Sequence, residues 1–243
     1  MLEIKNLTFS VLSEEGVKTI LHDINLNIPA GLVVITGPNG GGKSTLAKLI
    51  AGVEKPTSGH IIFNGEEITK AGVTERAKAG IAYAFQQPVR FKGINVFDLL
   101  RIAAGKDLSV SGACEYLSRV GLCAKDYINR EVNDSLSGGE LKRIEIATVI
   151  ARNAALSVFD EPEAGIDLWS FQNLIKVFQK IREERADSSI IIISHQERIL
   201  NIADEIIVLK NGTVSRQGKR EDIFPTLVKN EETAAACRKA GAE

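Results

Sequence analysis

Cysteine is scarce. Cys114, Cys123 and Cys237 are the only three, an odd number without metal-ligand spacing, so neither a disulfide framework nor a zinc site is expected. Free thiols in a reducing cytosol are the expectation. An excess of charge of one sign is also lacking. A formal net charge of −1 and a pI of about 6.4 give no electrostatic reason to expect nucleic acid as a partner. No apolar run is long enough to span a bilayer, because Pro, Gly and charged residues interrupt each candidate. The opening Met1-Leu2-Glu3-Ile4-Lys5 has no apolar signal-peptide core, so a cytoplasmic protein is expected. Internal repeats are absent, which excludes solenoid architectures. What remains is a 243-residue chain, 44% hydrophobic, able to bury one large domain or two lobes.

The most informative stretch is Gly37-Pro38-Asn39-Gly40-Gly41-Gly42-Lys43-Ser44-Thr45. It follows the β-branched, apolar Leu32 to Thr36 and leads into Leu46-Ala47-Lys48-Leu49-Ile50. Strand, glycine-rich loop and helix in that order make a phosphate-binding P-loop. Glycines let backbone N–H groups close around phosphate oxygens, and the helix N-terminus adds partial positive charge. Gly37, Asn39, Gly40 and Gly42 would shape the cradle. Lys43 would reach the β- and γ-phosphates, Ser44 would ligate Mg²⁺, and Thr45 would bond the α-phosphate. Average composition matches the four fixed positions by chance in roughly one per cent of chains this long. A nucleoside triphosphate is the expected ligand.

Periodicity predicts strands at Leu2 to Val11, Thr19 to Ile28, His60 to Phe63, Ile81 to Phe85, Leu156 to Phe159, Ile190 to Ser194 and Glu205 to Leu209. Asn64-Gly65 and Asn211-Gly212 read as hairpin turns with positive φ at both residues. Helical patterns occupy Val96 to Ala104, Ser111 to Val120 and Gly138 to Arg152. The expected fold is therefore α/β: a nucleotide-binding lobe, 1–87 and 152–228, with an antiparallel β edge and an inserted all-helical lobe, 88–151. A tail, 229–243, favours a loosely docked helix.

Two further motifs carry chemistry. The strand Leu156 to Phe159 ends in Asp160-Glu161, where Asp160 would hold Mg²⁺ through water and Glu161 would polarise the water attacking the γ-phosphate. Leu136-Ser137-Gly138-Gly139-Glu140 opens a helix, with Ser137 as N-cap and glycines exposing N–H groups at its positive end. This second motif resembles the signature of ATP-binding-cassette (ABC) ATPases, which usually ends in Gln rather than Glu140. The motif order agrees: P-loop at 37–45, Gln86 after a strand, signature at 136–140, acids at 160–161, Ile166-Asp167, then His195.

That resemblance implies ATP and Mg²⁺ as cofactors and a homodimer on ATP binding, each ATP lying between one P-loop and the other chain's signature. Ser137, Gly138, Gly139 and Glu140 would then act in trans, Asp167 would link the sites across the interface, and His195 would contact the γ-phosphate. Gln86 would sense Mg²⁺ and the attacking water. Many relatives stack adenine on an aromatic residue near the end of the first strand; Val11 stands there, so base recognition is expected to be loose. Ala84-Phe85-Gln86-Gln87-Pro88-Val89, Ser137 to Glu140 with Lys142-Arg143, and His195-Gln196-Glu197-Arg198-Ile199-Leu200 resemble the soluble Suf-type ATPase of iron–sulfur cluster assembly. This implies a soluble iron–sulfur scaffold protein as partner. Pro162, common in transporter ATPases, supports the alternative of a membrane permease subunit; either partner would dock near Val89 to Asn95.

Overall fold

The computed structural model describes residues 1–14, 16–105 and 107–228. The tail expected over 229–243, with Cys237, lies outside the described residues. Cys114 and Cys123 are free thiols.

Two sheets form. The first is antiparallel, in the order β2 (Gly16–Ile28), β1 (Leu2–Ser13), β4 (Ser58–Phe63) and β5 (Glu66–Glu67). Buried and exposed positions alternate along β2 from Leu21 onward, except where Asp23, at φ 47°, shifts the register and leaves His22 and Asp23 both exposed. The second sheet has the order β10 (Thr213–Lys219), β9 (Glu205–Lys210), β3 (Gly31–Thr36), β8 (Ser189–Ile193), β7 (Leu156–Asp160) and β6 (Ile81–Ala84). All its neighbours are parallel except β10.

The parallel strands are covered on both faces, as their unbroken apolar runs require. Val33, Ile35, Ile191, Ile193, Ile207 and Leu209 face a core shared with the antiparallel sheet and with Leu46, Leu49 and Ile50 of α1 (Lys43–Ala51). The alternate residues Leu32, Val34, Ile190, Ile192 and Ile206 face the second core, built with the remaining long helices. Thus α1 is sandwiched between the sheets, its N-terminus fixed at the end of β3. Arg76, on the short α2 (Val73–Lys78), is 1% exposed and locks the other end of α1. Its guanidinium donates to the Leu49 and Ile50 carbonyls at 2.6 and 3.0 Å, filling acceptors that a helix C-terminus leaves open.

Between β6 and β7 the chain is helical: α3 (Val96–Ala104), α4 (Val110–Arg119), α5 (Ala124–Tyr127) and α6 (Gly138–Arg152). Beyond β7 come α7 (Leu168–Glu184) and, after β8, α8 (Glu197–Leu200). Both Asn-Gly turns have the expected positive φ: 51° and 83° at Asn64-Gly65, 51° and 73° at Asn211-Gly212. No described helix is long and apolar enough to cross a membrane.

Candidate active site

The loop between β3 and α1 follows a path that only glycine permits at two points. Gly37 has φ 135°, and a Cβ there would sit 1.9 Å from the Leu209 carbonyl oxygen of β9. At Gly42, φ 97°, a Cβ would sit 2.5 Å from the Leu21 side chain. These two glycines are therefore required for packing, before any phosphate is considered. Gly40, φ 76°, faces open space and is the glycine free to serve a ligand.

Over this loop lies a cavity of about 680 Å³, lined by Lys18, Thr19 and Ile20 of β2, Asn39 to Thr45, Gln86, Glu161, Asn211 and Gly212. Of the candidate residues it collects Asn39, Gly40, Gly42, Lys43, Ser44, Thr45, Gln86 and Glu161. Lys43 Nζ donates to the carbonyls of Gly37 and Pro38 at 2.8 and 3.0 Å. Burial holds its ammonium below the usual lysine range, while Glu161 and Asp160 act the other way. Asp160, 1% exposed, stands behind the cavity: its Oδ1 accepts the Ser44 hydroxyl at 3.0 Å and its Oδ2 the Tyr83 hydroxyl at 3.1 Å. Burial raises the Asp160 pKa, and the two hydroxyls partly offset the rise. Glu161 has φ 46°, a left-handed conformation that costs a non-glycine residue about 1–3 kcal/mol and marks sites under constraint. Its Oε2 accepts Gln86 Nε2 at 2.7 Å.

Chain similarity agrees with this geometry. Residues 21–164 match the family model described as ABC transporter. This chain belongs to the ABC transporter family. It is an ATP-binding, ATP-hydrolysing cassette. An uncharacterised ABC transporter ATP-binding protein of Methanocaldococcus jannaschii is 37% identical over 217 residues, 86% of each chain. A probable ATP-dependent transporter, ycf16, of Pyropia yezoensis is also 37% identical, over 90% of this chain and 91% of its own. Among solved structures, the dimeric cassette MJ0796 in a post-hydrolysis state with ADP and Pi superposes with a TM-score of 0.81 at 26% identity, covering 90% of this chain and 99% of that one. The names of these relatives support the transporter alternative ahead of the iron–sulfur scaffold expectation.

Other candidate residues of the cassette are not among those lining the cavity. Val11, 36% exposed, pairs with Lys18 across the β1–β2 hairpin and is not among the lining residues. His195 is exposed just beyond β8. The signature residues form a second surface. Ser137 caps α6, its Oγ accepting Glu140 N at 3.3 Å, while Glu140 reaches back to Ser137 N at 2.6 Å. A hydrogen bond from the Tyr127 phenol, more than any other cause, lowers the Glu140 pKa to about 2. Gly139 comes close to the Gly165 carbonyl, so the signature abuts the turn that leads to Asp167. Asp167 Oδ1 accepts Trp169 N and Ser170 N, both at 3.0 Å, and so caps α7.

No local spacing points to the structural roles of Tyr83, Lys142, Glu145 and Glu163, although Lys142 stands beside the signature motif. Lys142 is fully buried, and its Nζ donates to the carbonyls of Phe85, Gln86 and Asp160. Glu145 Oε1 accepts Phe85 N at 2.9 Å. One turn of α6 thus grips the backbone on both sides of the Phe85–Gln86 junction. Glu163, buried enough to raise its pKa, takes the Ser194 hydroxyl beside His195. Each is a single side chain acting over a long sequence separation, for which no local spacing exists. Among the described residues, no His, Cys, Asp and Glu cluster forms a ready metal site, so an ion here would rely on hydroxyl, amide and phosphate oxygens as well.

Proposed function

We infer that the chain is the ATP-hydrolysing subunit of an ABC-type complex, with two copies closing on ATP to move a partner docked between their lobes. The observation that carries this is one cavity uniting Lys43, Ser44, Gln86 and Glu161, with Asp160 hydrogen-bonded to Ser44 behind it. Lys43 exchanges the Gly37 and Pro38 carbonyls for phosphate oxygens. Glu161 accepts a proton from the attacking water, and Gln86 orients its carboxylate. Ser44, Asp160 and Gln86 would hold Mg²⁺, which neutralises phosphate charge when bound. The fit is good: Asp160 is a buried carboxylate whose side-chain partners are two neutral hydroxyls, and the donors are hard oxygens suited to that ion. Ser137 and Gly139 would complete the site of a second copy; the MJ0796 cassette, a dimer with ADP and Pi bound, supports pairing of two copies.

The partner is best read as a membrane permease. Relatives named as sulfate/thiosulfate and spermidine/putrescine import ATP-binding proteins, 32% and 31% identical, support this. An apolar groove of about 310 Å³, lined by Val53, Val73, Phe85, Val89, Phe91 and Ile102 among others, offers the docking surface. Val89 and Phe91 are 43% and 37% exposed there. A second reading, a soluble iron–sulfur scaffold, is favoured by the run Ala84 to Val89, by His195 to Leu200, and by Val11 in place of an aromatic residue. Isolating the chain from its native cells separates the two. Recovery with a multi-span membrane protein supports the first, and a soluble iron-binding partner supports the second. In either case Phe91→Ala is expected to weaken the complex and leave ATP affinity intact. An undiminished complex would remove the groove from the account.

A further inference from the structure

The first turn of α7 carries an apolar pair that the single chain leaves in water. Leu168 is 59% exposed and Trp169 78%. Farther along the helix, Phe171, Leu174, Phe178 and Ile181 form a buried stripe at helical spacing. Leu168, one turn before Phe171, continues that stripe beyond the edge of the core. Trp169 is the sole tryptophan of the sequence, and it is among the most exposed large apolar side chains. Singly scattered apolar residues are ordinary on a surface, whereas two large ones adjacent on one exposed turn make a contiguous patch, and contiguous apolar patches mark interaction surfaces.

Its position is well defined. Asp167 Oδ1 fixes the helix start through Trp169 N and Ser170 N. On the other side of the same turn, Gly165 lies against Gly139 of the signature. The pair therefore flanks the surface made by Ser137, Gly139 and Asp167. The apolar groove proposed for the permease or scaffold includes no residue of α7, so that partner does not account for the exposure.

We propose that Leu168 and Trp169 form an apolar anchor that a second copy of this chain buries when two cassettes close on ATP. This rests on the dimer reading above and extends it with a named contact. Continuity with the signature face selects the occupant, and tryptophan is the residue type most enriched at energetic centres of interfaces. The anchor would couple ATP binding to closure through residues that touch no nucleotide.

The sole tryptophan makes the test direct. The Glu161→Gln chain, which retains ATP, is followed with Mg-ATP by size exclusion with light scattering, by tryptophan emission and by acrylamide quenching. Appearance of the dimer is expected to shift emission to the blue and to lower the quenching constant several-fold. In the same background Trp169→Ala is expected to raise the dimer dissociation constant by about 30-fold, the size of a hot-spot truncation. Monomer affinity for ATP should stay within about twofold, and Trp169→Phe should restore most of the association. A dimer whose tryptophan is quenched as freely as in the nucleotide-free monomer overturns the anchor while keeping the dimer. Absence of any dimer at saturating ATP overturns the dimer reading and the anchor together.

Discussion

Tyr83 offers a test of how Asp160, the carboxylate proposed to hold Mg²⁺, is held. Its hydroxyl donates to Asp160 Oδ2 at 3.1 Å, and Asp160 is 1% exposed, so no water can take the place of that donor freely. Burial and the facing carboxylate push the phenol pKa upward, which keeps Tyr83 a proton donor at all working pH values. Tyr83→Phe removes the donor and keeps the ring, which packs edge-on against Phe85 at 4.6 Å between centroids. A hydrogen bond to a charged group contributes about 1.5–3 kcal/mol, so unfolding free energy near neutral pH is expected to fall by about that much. The deficit has a defined pH course. The Asp160 pKa is already raised by burial, and losing a donor raises it further. The penalty is therefore full where Asp160 is ionised and shrinks as pH falls through its raised pKa. Because outer-shell partners typically tune metal affinity by about 10–100-fold, Mg²⁺ should support ATP binding more weakly by about that factor. Calorimetric titration of ATP with and without Mg²⁺, beside urea unfolding at neutral and acid pH, measures both. Unchanged Mg²⁺ dependence with unchanged stability would refute the reasoning.

Lys43→Ala is expected to abolish tight ATP binding in calorimetry, because the remaining cavity cation, Lys18, lies on β2 rather than in the loop; wild-type affinity would remove Lys43 from the site. With Val11 outside the cavity lining, ATP and GTP should be hydrolysed at similar rates, and a strong preference for ATP would mean that another side chain reads the base. Glu140, held near pKa 2, contributes stability that is complete above its ordinary pKa of 4.5 and is lost as pH falls from about 5 toward about 2. Glu140→Gln should flatten that acid limb by about 1–2 kcal/mol once solvent screening is allowed for, and an unaltered limb would assign it to other carboxylates.

The parts legible in the sequence are those with local signals. Val96 to Ala104 and Gly138 to Arg152 are helices to the residue, since Asn95 and Ser137 cap them and Gly105 and Asn153 end them in the left-handed region. Both Asn-Gly turns follow from backbone sterics alone. The helix over 168–184 is not among the sequence expectations, although Phe171, Leu174, Phe178 and Ile181 recur at helical spacing between charged and amide residues, the pattern of an amphipathic helix. Glycines 37 and 42 could be read as loop residues, but their steric contacts with β9 and β2 arise only once the sheets assemble. The same holds for Asp160. The sequence places it at a strand end, whereas its partner Tyr83 comes from β6 and is 77 residues distant.

The central claim is that Glu161, bonded to Gln86 at the mouth of the P-loop cavity, is the base for ATP hydrolysis. Steady-state phosphate release by the Glu161→Gln chain, compared with wild type at saturating Mg-ATP, tests it most directly. The substitution keeps the shape and a hydrogen-bond partner for Gln86 but removes basicity. The expected result is a fall in turnover of roughly 10²–10⁴ with ATP affinity preserved. Turnover equal to wild type would contradict the assignment and move the role to another group at the cavity.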